Sequence, residues 1–325
     1  MAFSIPKYGM IDMASASQNA RTEALMKTAL EQQTVQGRSL WDDARARLMR
    51  NRAAVVSFVV LAIITFLAIV GPWVWPHDYD HVFKLKVGIS PTFEDWFIFG
   101  TDSQGRDLFV RLLYGLRVSL AVGVVATLVS LVIGVLWGAI AGYVGGKVDE
   151  LMMRIVDTLY AMPFIFFVII LMVVFKDFTT GKPALNILLI FVAIGAVEWL
   201  TMARIVRGQT IALKRKEFIE AAEAAGVRPF TIIRRHIVPN VLGPVVVYVT
   251  LTIPSVILAE SFLSFLGLGV QEPLTSLGKL ISNGAQDMET MPWTLMFPAV
   301  AMMVTLFCFN FIGDGLRDAI DPKDR

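Results

Sequence analysis

Six long apolar runs divide the chain, and the sequence between them is polar. Their approximate limits are residues 54–74, 118–142, 155–175, 186–203, 244–267 and 295–313. About 20 helical residues cross the roughly 30 Å hydrocarbon layer of a bilayer, and every run approaches or exceeds that length. Strands of a membrane barrel would alternate polar and apolar positions, which these runs do not. The pattern therefore predicts an all-α, polytopic membrane protein with six transmembrane helices.

Composition supports this prediction. The chain is 56% hydrophobic and has a mean hydropathy of +0.65, values typical of a polytopic membrane protein. The net charge of only +2 gives no reason to expect nucleic acid as a partner. Cys308 is the single cysteine, so the chain cannot form an internal disulfide, and the scattered histidines His77, His81 and His236 do not predict a metal site.

The positively charged residues indicate an orientation. If the N-terminus lies inside the cell, 21 of the 29 Lys and Arg residues fall in inside segments. Because positive residues are enriched in cytoplasmic loops, both termini are predicted to be cytoplasmic. Ser39 can cap a short helix in which Leu40, Ala44 and Leu48 recur every four residues, with arginines against membrane lipid. The predicted domains are a mobile cytoplasmic tail (1–37), an amphipathic cytoplasmic helix (38–53), a transmembrane domain (54–313) and a cytoplasmic C-terminal tail (314–325).

The most polar stretch between two apolar runs is Lys214–Asn240. Such a segment cannot remain in hydrocarbon and must project into water or a partner protein. Lys214–Ala225 is rich in strong helix formers, and Gly226 fits the left-handed residue that ends a helix. Pro229 fits the first turn of a second helix, and Pro239 is predicted to limit its end. We call this predicted helix–glycine–helix segment, residues 214–240, the elbow.

The elbow resembles the EAA loop of ABC-type importer permeases, EAA-x3-G-x9-I-x-L-P. The matching positions are Glu220, Ala221, Ala222, Gly226 and Pro239, while His236 and Val238 replace the usual Ile and Leu. In that family the loop docks into a groove of a separate ATPase subunit. The resemblance implies that Glu217 and Glu220 contact the ATPase, that Ala221 and Ala222 allow close approach, and that Gly226 sets the turn. The alternative is a basic loop held near anionic lipid.

A second signature lies in the segment Phe99–Leu120. Thr101 or Asp102 is predicted to cap a helix that starts near Ser103. The apolar stripe of this helix would consist of Leu108, Leu112 and Leu116. The run GTDxxGRD resembles the peptide branch of the importer permeases. Four positions of this run are candidates for a gate or receptor contact on the outer face or, alternatively, for a structural cap on the bundle: Asp102, Gly105, Arg106 and Asp107.

Likeness to this branch extends from about residue 37 to the end, and the segments Arg38–Asp43 and Asn51–Val55 resemble the C subunits of oligopeptide permeases. The resemblance implies the bundle of a type I ABC importer permease in a bacterial inner (plasma) membrane. It also implies a heterodimer with a homologous permease, two cytoplasmic ABC ATPase subunits and a periplasmic or extracellular peptide-binding protein. The function predicted is therefore the permease subunit of an ATP-driven oligopeptide importer, which forms half of the translocation path.

Residues within the apolar runs refine this picture. Burying the charge of Glu198 or Glu260 costs about 2.5–3.5 kcal/mol on insertion scales, so each requires a reason. Glu260 is a candidate for lining the path or pairing with a neighbouring helix, and Glu198 for reaching interface water. Three glycines at spacing four predict close helix contact, either with another subunit or within the bundle: Gly134, Gly138 and Gly142.

No P-loop, zinc-protease or serine-hydrolase motif occurs in the sequence. The chain is therefore predicted to be a non-catalytic subunit without a cofactor, driven by energy from a partner. Alternatives left open are a permease for dipeptide, nickel or glutathione, and, less favoured, an ion-driven secondary transporter, which would need ionisable clusters near the midplane.

Overall fold

The computed structural model describes residues 40–179 and 181–320. The predicted tail of residues 1–37, the predicted Ser39 cap and residues 321–325 lie outside this part of the chain. The chain divides into two units, Met1–Asp43 and Ala44–Arg325. Only the last residues of the first unit are described, and the fold below is that of the second.

Helices make up nearly all of the regular structure, and no strand forms within the two described ranges. A 3₁₀ turn, Glu94–Trp96, precedes α3, and a π-helical turn, Ile233–Ile237, joins α9 to α10. The α-helices are α1 (Leu40–Arg50), α2 (Arg52–Val74), α3 (Leu108–Val144), α4 (Gly146–Ala161), α5 (Phe164–Val174), α6 (Lys176–Thr179), α7 (Pro183–Lys214), α8 (Glu217–Ala224), α9 (Pro229–Ile232), α10 (Val238–Phe265), α11 (Leu277–Gln286) and α12 (Trp293–Ile320). The predicted all-α class is confirmed.

Within the described ranges, five helical stretches are long and apolar enough to cross a bilayer: α2, α3, α7, α9 with α10, and α12. The predicted continuous span 155–175 is instead a bent pair, α4 and α5, which meet at 86°. Pro163 lacks an N–H and disfavours the helical conformation of the residue before it, so Met162 is extended (φ −76°, ψ 132°) and α4 ends at Ala161. Counted as one span, the pair completes the predicted six.

The long helices α3 and α7 pack against each other through the predicted glycine stripe. A Cβ on Gly134 would lie 2.5 Å from the Cβ of Met202, and one on Gly138 would lie 2.4 Å from the carbonyl oxygen of Ala203. A Cβ on Gly142 would likewise lie within 2.8 Å of α7. Such short contacts essentially never occur, so glycine is required for this approach. The stripe therefore serves packing within the bundle, one of the two predicted uses.

The guanidinium group of Arg117 donates hydrogen bonds to backbone carbonyls of α2. Pro72 lies inside this helix and has no N–H to offer the carbonyl of Ala68, four residues earlier. Arg117 of α3 donates from Nε to the oxygen of Ala68 at 3.0 Å and from Nη2 to that of Ile69 at 2.9 Å. Arg117 thereby satisfies the carbonyl oxygen of Ala68, which Pro72 leaves without a donor.

The predicted start of the helix at Ser103 is wrong, because α3 begins at Leu108. Asp107 is its N-cap, and the carboxylate accepts the N–H of the second helical residue at 2.9 Å. Thr101 and Asp102, the predicted caps, hold the preceding loop instead. The predicted apolar stripe of α3 is confirmed, since its three leucines are buried in one cluster with residues of α11: Leu108, Leu112, Leu116, Leu277 and Leu280.

The elbow also departs from prediction at its second helix, which does not end at Pro239. The N–H of Val238 bonds to the carbonyl of Ile233, five residues earlier, as in a π-helix. This turn brings Pro239 into the first turn of α10, where a missing N–H costs little. Beyond it the helix continues to Phe265. The last span is also longer than predicted, because α12 continues through residues 314–320 of the predicted tail.

Candidate functional site

The turn of the elbow has the hydrogen bonds of a Schellman motif. The N–H of Gly226 bonds to the carbonyl of Glu223 at 2.9 Å, and that of Val227 to the carbonyl of Ala222 at 3.1 Å. Gly226 has φ +74°, which confirms the predicted left-handed conformation. A Cβ there would meet no atom within 4 Å, so the backbone conformation, not space, selects glycine.

One face of the elbow is part of the protein core. Ile219 of α8, Ile232 of α9 and Ile237 of the π turn are fully buried. They share a cluster with Val206 of α7 and Val241 of α10. The cluster therefore packs the elbow against the helices on both of its sides, α7 and α10.

Tyr143, near the end of α3, anchors the elbow at two points. The Nζ of Lys214 donates to the carbonyl oxygen of Tyr143 at 2.7 Å and lies 5.3 Å from the centre of its ring. The side chain of Tyr143 also interacts with that of Glu223 in α8. The elbow is thus tied to α3 as well as to its own flanking helices.

The opposite face of the elbow is open to solvent. The predicted ATPase-coupling residues on this face are Glu217, Glu220, Ala221, Gly226 and Pro239, all exposed. Ala222, also predicted to allow close approach, is half-buried against the core cluster. Most of the predicted set is therefore accessible to a partner.

Two aromatic residues on the elbow escaped the sequence reasoning. Phe218 is 44% exposed and Phe230 is 72% exposed. A phenyl ring left in water is costly unless another surface covers it, so both rings are candidates for partner contact. The signal was present in the sequence: the isoleucines already supply the buried face, which leaves the phenylalanines without a place in the core.

Residues 75–107, which we call the capping loop, are fastened by Thr101. Its hydroxyl accepts the N–H of Ile89 at 2.9 Å and donates to the carbonyl of Lys86 at 2.6 Å. Its own carbonyl accepts the indole N–H of Trp293 at 3.1 Å. These bonds hold the loop to itself and to the start of α12.

Asp102 and Arg106 close a tight turn in the capping loop. One carboxylate oxygen of Asp102 accepts the backbone N–H groups of Gln104 and Arg106 at 2.9 Å each, and the other accepts Nε of Arg106 at 2.8 Å. Gly105 has φ +77°, and a Cβ on it would lie 2.5 Å from the carbonyl oxygen of Phe83. The predicted positions Asp102, Gly105 and Arg106 thus all fix the shape of this loop.

Asp107, the fourth predicted position, is fully buried. Besides capping α3, its carboxylate accepts the indole N–H of Trp75 at 2.7 Å and lies 2.8 Å from Nδ1 of His77. Both carboxylate oxygens are thus engaged within the protein, and the side chain is closed off from a passing substrate. The geometry of these four residues favours the structural cap over the gate.

Arg106 also ties the capping loop to the segment between α10 and α11. Its Nη2 lies 3.3 Å from Oε1 of Glu272. Burial alone would raise the pKa of Glu272, but the hydrogen bond and charge of Arg106 outweigh burial and hold that pKa below its ordinary value. The lowered pKa favours the ionised carboxylate of Glu272 beside the guanidinium of Arg106.

Glu260 is fully buried where α10 meets α3 and the start of α11. Its Oε1 accepts hydrogen bonds from the hydroxyls of Ser264 and Ser276 at 2.7 Å each, and Oε2 accepts one from Ser119 at 3.4 Å. Ser276 is the N-cap of α11, so the carboxylate also lies near the positive end of that helix. Of its two predicted roles, this geometry favours the helix interface over the path.

Comparison with known proteins identifies the family. Residues 134–325 match the family model of the inner membrane component of binding-protein-dependent transport systems. The chain belongs to this family. Residues 39–89 of the permease also match the model of the N-terminal transmembrane domain of oligopeptide transport permease C.

Individual relatives agree with this assignment. The permease is 58% identical over 313 residues to the oligopeptide transport system permease protein OppC of Escherichia coli K12, covering 96% of this chain and 100% of that protein. It is 42% identical over 288 residues to the dipeptide transport system permease protein DppC of Bacillus subtilis, covering 88% and 87%. An inward-facing structure of the MetNI methionine ABC transporter shares the fold with a TM-score of 0.51 and 23% identity, covering 66% of this chain and 98% of that chain.

Two ion pairs join α4 to α7 in the permease. Arg207 reaches Asp149 through Nε and Nη2, both at 2.6 Å, and Arg204 reaches Asp157 at 2.7 Å. Arg204 also lies 4.1 Å from the centre of the Tyr160 ring. These pairs line an open cavity of about 1000 Å³ between the two helices. Sequence reasoning noted the segments that carry them but could not pair residues so far apart in the chain.

Proposed function

We propose that this permease is one of the two membrane subunits of an ATP-driven oligopeptide importer. It supplies half of the translocation path and performs no catalysis itself. Two cytoplasmic ATPase subunits hydrolyse ATP, a homologous permease completes the path, and an external binding protein delivers peptide. Both termini and the elbow lie on the cytoplasmic side, in keeping with the placement of Lys and Arg.

The observation that carries this proposal is the two-sided construction of the elbow. Its inner face is packed into the core at Ile219 and Ile237, and its outer face presents the acidic and aromatic residues Glu217, Glu220 and Phe230. A docked ATPase that changes shape would move α8, and the core would carry that movement to α7 and α10. The elbow transmits the difference in binding between the two states of the ATPase pair.

Oligopeptide is the cargo best supported by likeness, since identity reaches 58% with an oligopeptide permease and 42% with a dipeptide permease. Uptake of a labelled oligopeptide, competed by excess unlabelled dipeptide or glutathione, tests this choice. Stronger competition by either competitor than by unlabelled oligopeptide would reassign the cargo. ATP-dependent uptake that survives an uncoupler would separate the importer from a gradient-driven transporter.

The substitution Gly226→Val tests the elbow. Valine opposes the left-handed conformation at φ +74° but meets no neighbouring atom, so its effect arises from the turn. We expect at least a tenfold loss of uptake, since a strain of about 1–3 kcal/mol moves the turn out of register with its partner. Copurification of the ATPase should fall as well.

Gly208→Val is the matched control. Gly208 also has open space around it, but it lies inside α7 with ordinary helical φ, so valine fits there without strain. Equal membrane levels of both variants, checked by immunoblot, are required. Normal uptake and normal ATPase attachment in Gly226→Val would remove the coupling role from the elbow.

A further inference from the structure

A cavity of about 370 Å³ lies at the break between α4 and α5. Its walls include Tyr160, Met162 and Pro163 on one side and Glu198 and Thr201 of α7 on the other. Irregular backbone at membrane depth is tolerated only where it is buried in protein or lines a water-filled cavity. The break and the cavity therefore belong together as one feature of the bundle.

The end of α4 contributes negative potential to this cavity. Met162, the C-cap, donates its N–H to the carbonyl of Leu159, but the other carbonyls of the last turn have no partner within the helix. The helix dipole adds to them and favours a cation at this end. The wall of the cavity is thus electronegative even before any side chain is considered.

Glu198 adds an acidic side chain at the same place. Among the described residues, none forms an ion pair with its carboxylate and none donates a hydrogen bond to it; its one electrostatic neighbour is Tyr248. An ionisable residue within a membrane span, left without a partner beside a cavity, marks a functional site.

The cavity continues towards the larger one between α4 and α7, since Ala161 lines both. Every other charged residue along the two cavities has an opposite charge beside it. These pairs are Asp149 with Arg207, Asp157 with Arg204, and Glu150 with Arg154. Glu198 is therefore the single ionisable side chain along the described walls of this route that has no opposite charge beside it.

We propose that Glu198 and the C-terminal end of α4 bind the protonated amino terminus of a peptide in transit. A primary ammonium group has three N–H donors, which match the carboxylate of Glu198 and the free carbonyls of α4. This assignment rests on the proposed function, because it takes the two cavities as this permease's share of the translocation path. It makes Glu198 a specificity-determining residue.

Cysteine labelling tests the proposal without requiring transport. The single native cysteine is removed by Cys308→Ala, and Thr201→Cys, one turn from Glu198, places a thiol in the cavity wall. In inside-out vesicles that hold the assembled transporter, a cationic methanethiosulfonate should label this thiol about tenfold faster than an anionic one, because the carboxylate attracts the cation. Adding Glu198→Gln should make the two rates nearly equal, whereas Glu289→Gln, on the exposed loop before α12, should change neither.

Protection identifies the ligand in the same vesicles. A peptide with a free amino terminus should slow labelling by the cationic reagent, the N-acetylated form of that peptide should not, and Glu198→Gln should abolish the difference. Equal protection by the two peptides, protection by sodium or magnesium ions instead of peptide, or labelling insensitive to Glu198→Gln would overturn the assignment. Because neither readout depends on ATP, failure here is distinguishable from failure of the proposed importer, which the uptake assay reports.

Discussion

At the scale of single residues, two glutamates within apolar runs have opposite surroundings. Glu260 is enclosed by three serine hydroxyls and the start of α11, whereas Glu198 faces a cavity. The sequence places both inside apolar runs and gives each the same cost of burial. Only the arrangement of distant residues, such as Ser119 and Ser276 around Glu260, distinguishes the two.

The substitution Glu260→Ala should destabilise the permease by about 2–3 kcal/mol, because it leaves buried hydroxyls without an acceptor. Glu260→Gln keeps the shape and one carbonyl acceptor, so its effect should be less than half as large. The midpoint of thermal unfolding in detergent reports both, with Glu289→Ala on an exposed loop as the control. A Glu260→Ala variant as stable as the control would show that the serine cradle contributes nothing.

At the scale of helices, hydrophobic pattern located the elements, and residues elsewhere in the fold set their ends and bends. The apolar runs predicted α2, α3, α7, α10 and α12, because burial in lipid requires continuous apolar helices. The pattern did not reveal the break at Pro163, since prolines such as Pro72 are accommodated within helices of the same protein. Arg117 donates a hydrogen bond to the carbonyl that Pro72 leaves without a donor, so α2 continues past that proline. Local sequence pattern cannot predict this contact, because Arg117 lies 45 positions further along the chain.

The glycine turn of the elbow was predicted correctly because its geometry is local. A glycine after a helix, followed by proline, determines a Schellman turn from neighbouring residues alone. The roles of the capping loop were harder to read, since Asp107 could be assigned to capping α3 only once Trp75 and His77 were known to contact it. The π turn before Pro239 likewise depends on the core that holds Ile233 and Ile237 in place.

The rescue of α2 predicts coupling between Arg117 and Pro72. Arg117→Ala should destabilise the permease by about 1–3 kcal/mol, because a buried carbonyl loses its donor. In a Pro72→Ala background the new N–H satisfies that carbonyl, so Arg117→Ala should cost markedly less. A double-mutant cycle on thermal unfolding measures this coupling. Additive effects of the two substitutions would contradict the rescue.

At the scale of the whole molecule, the elbow connects with three of the long helices. Tyr143 ties it to α3, Lys214 continues it into α7, and the π turn carries it into α10. The glycine stripe then packs α3 closely against α7. The charged cavity between α4 and α7 lies beside this assembly, so movement of the elbow would reach the walls of the proposed path.

The central claim is that the exposed face of the elbow receives the ATPase, and site-directed cross-linking tests it most directly. Phe230→Cys, on the Cys308→Ala background, should cross-link to an ATPase subunit in membranes and resist impermeant thiol reagents added outside intact cells. Phe93 lies on the capping loop and is 92% exposed. Phe93→Cys should react with impermeant thiol reagents added outside intact cells and should not cross-link to an ATPase subunit. Labelling of Phe230→Cys from outside, or its failure to reach the ATPase in active membranes, would contradict the account.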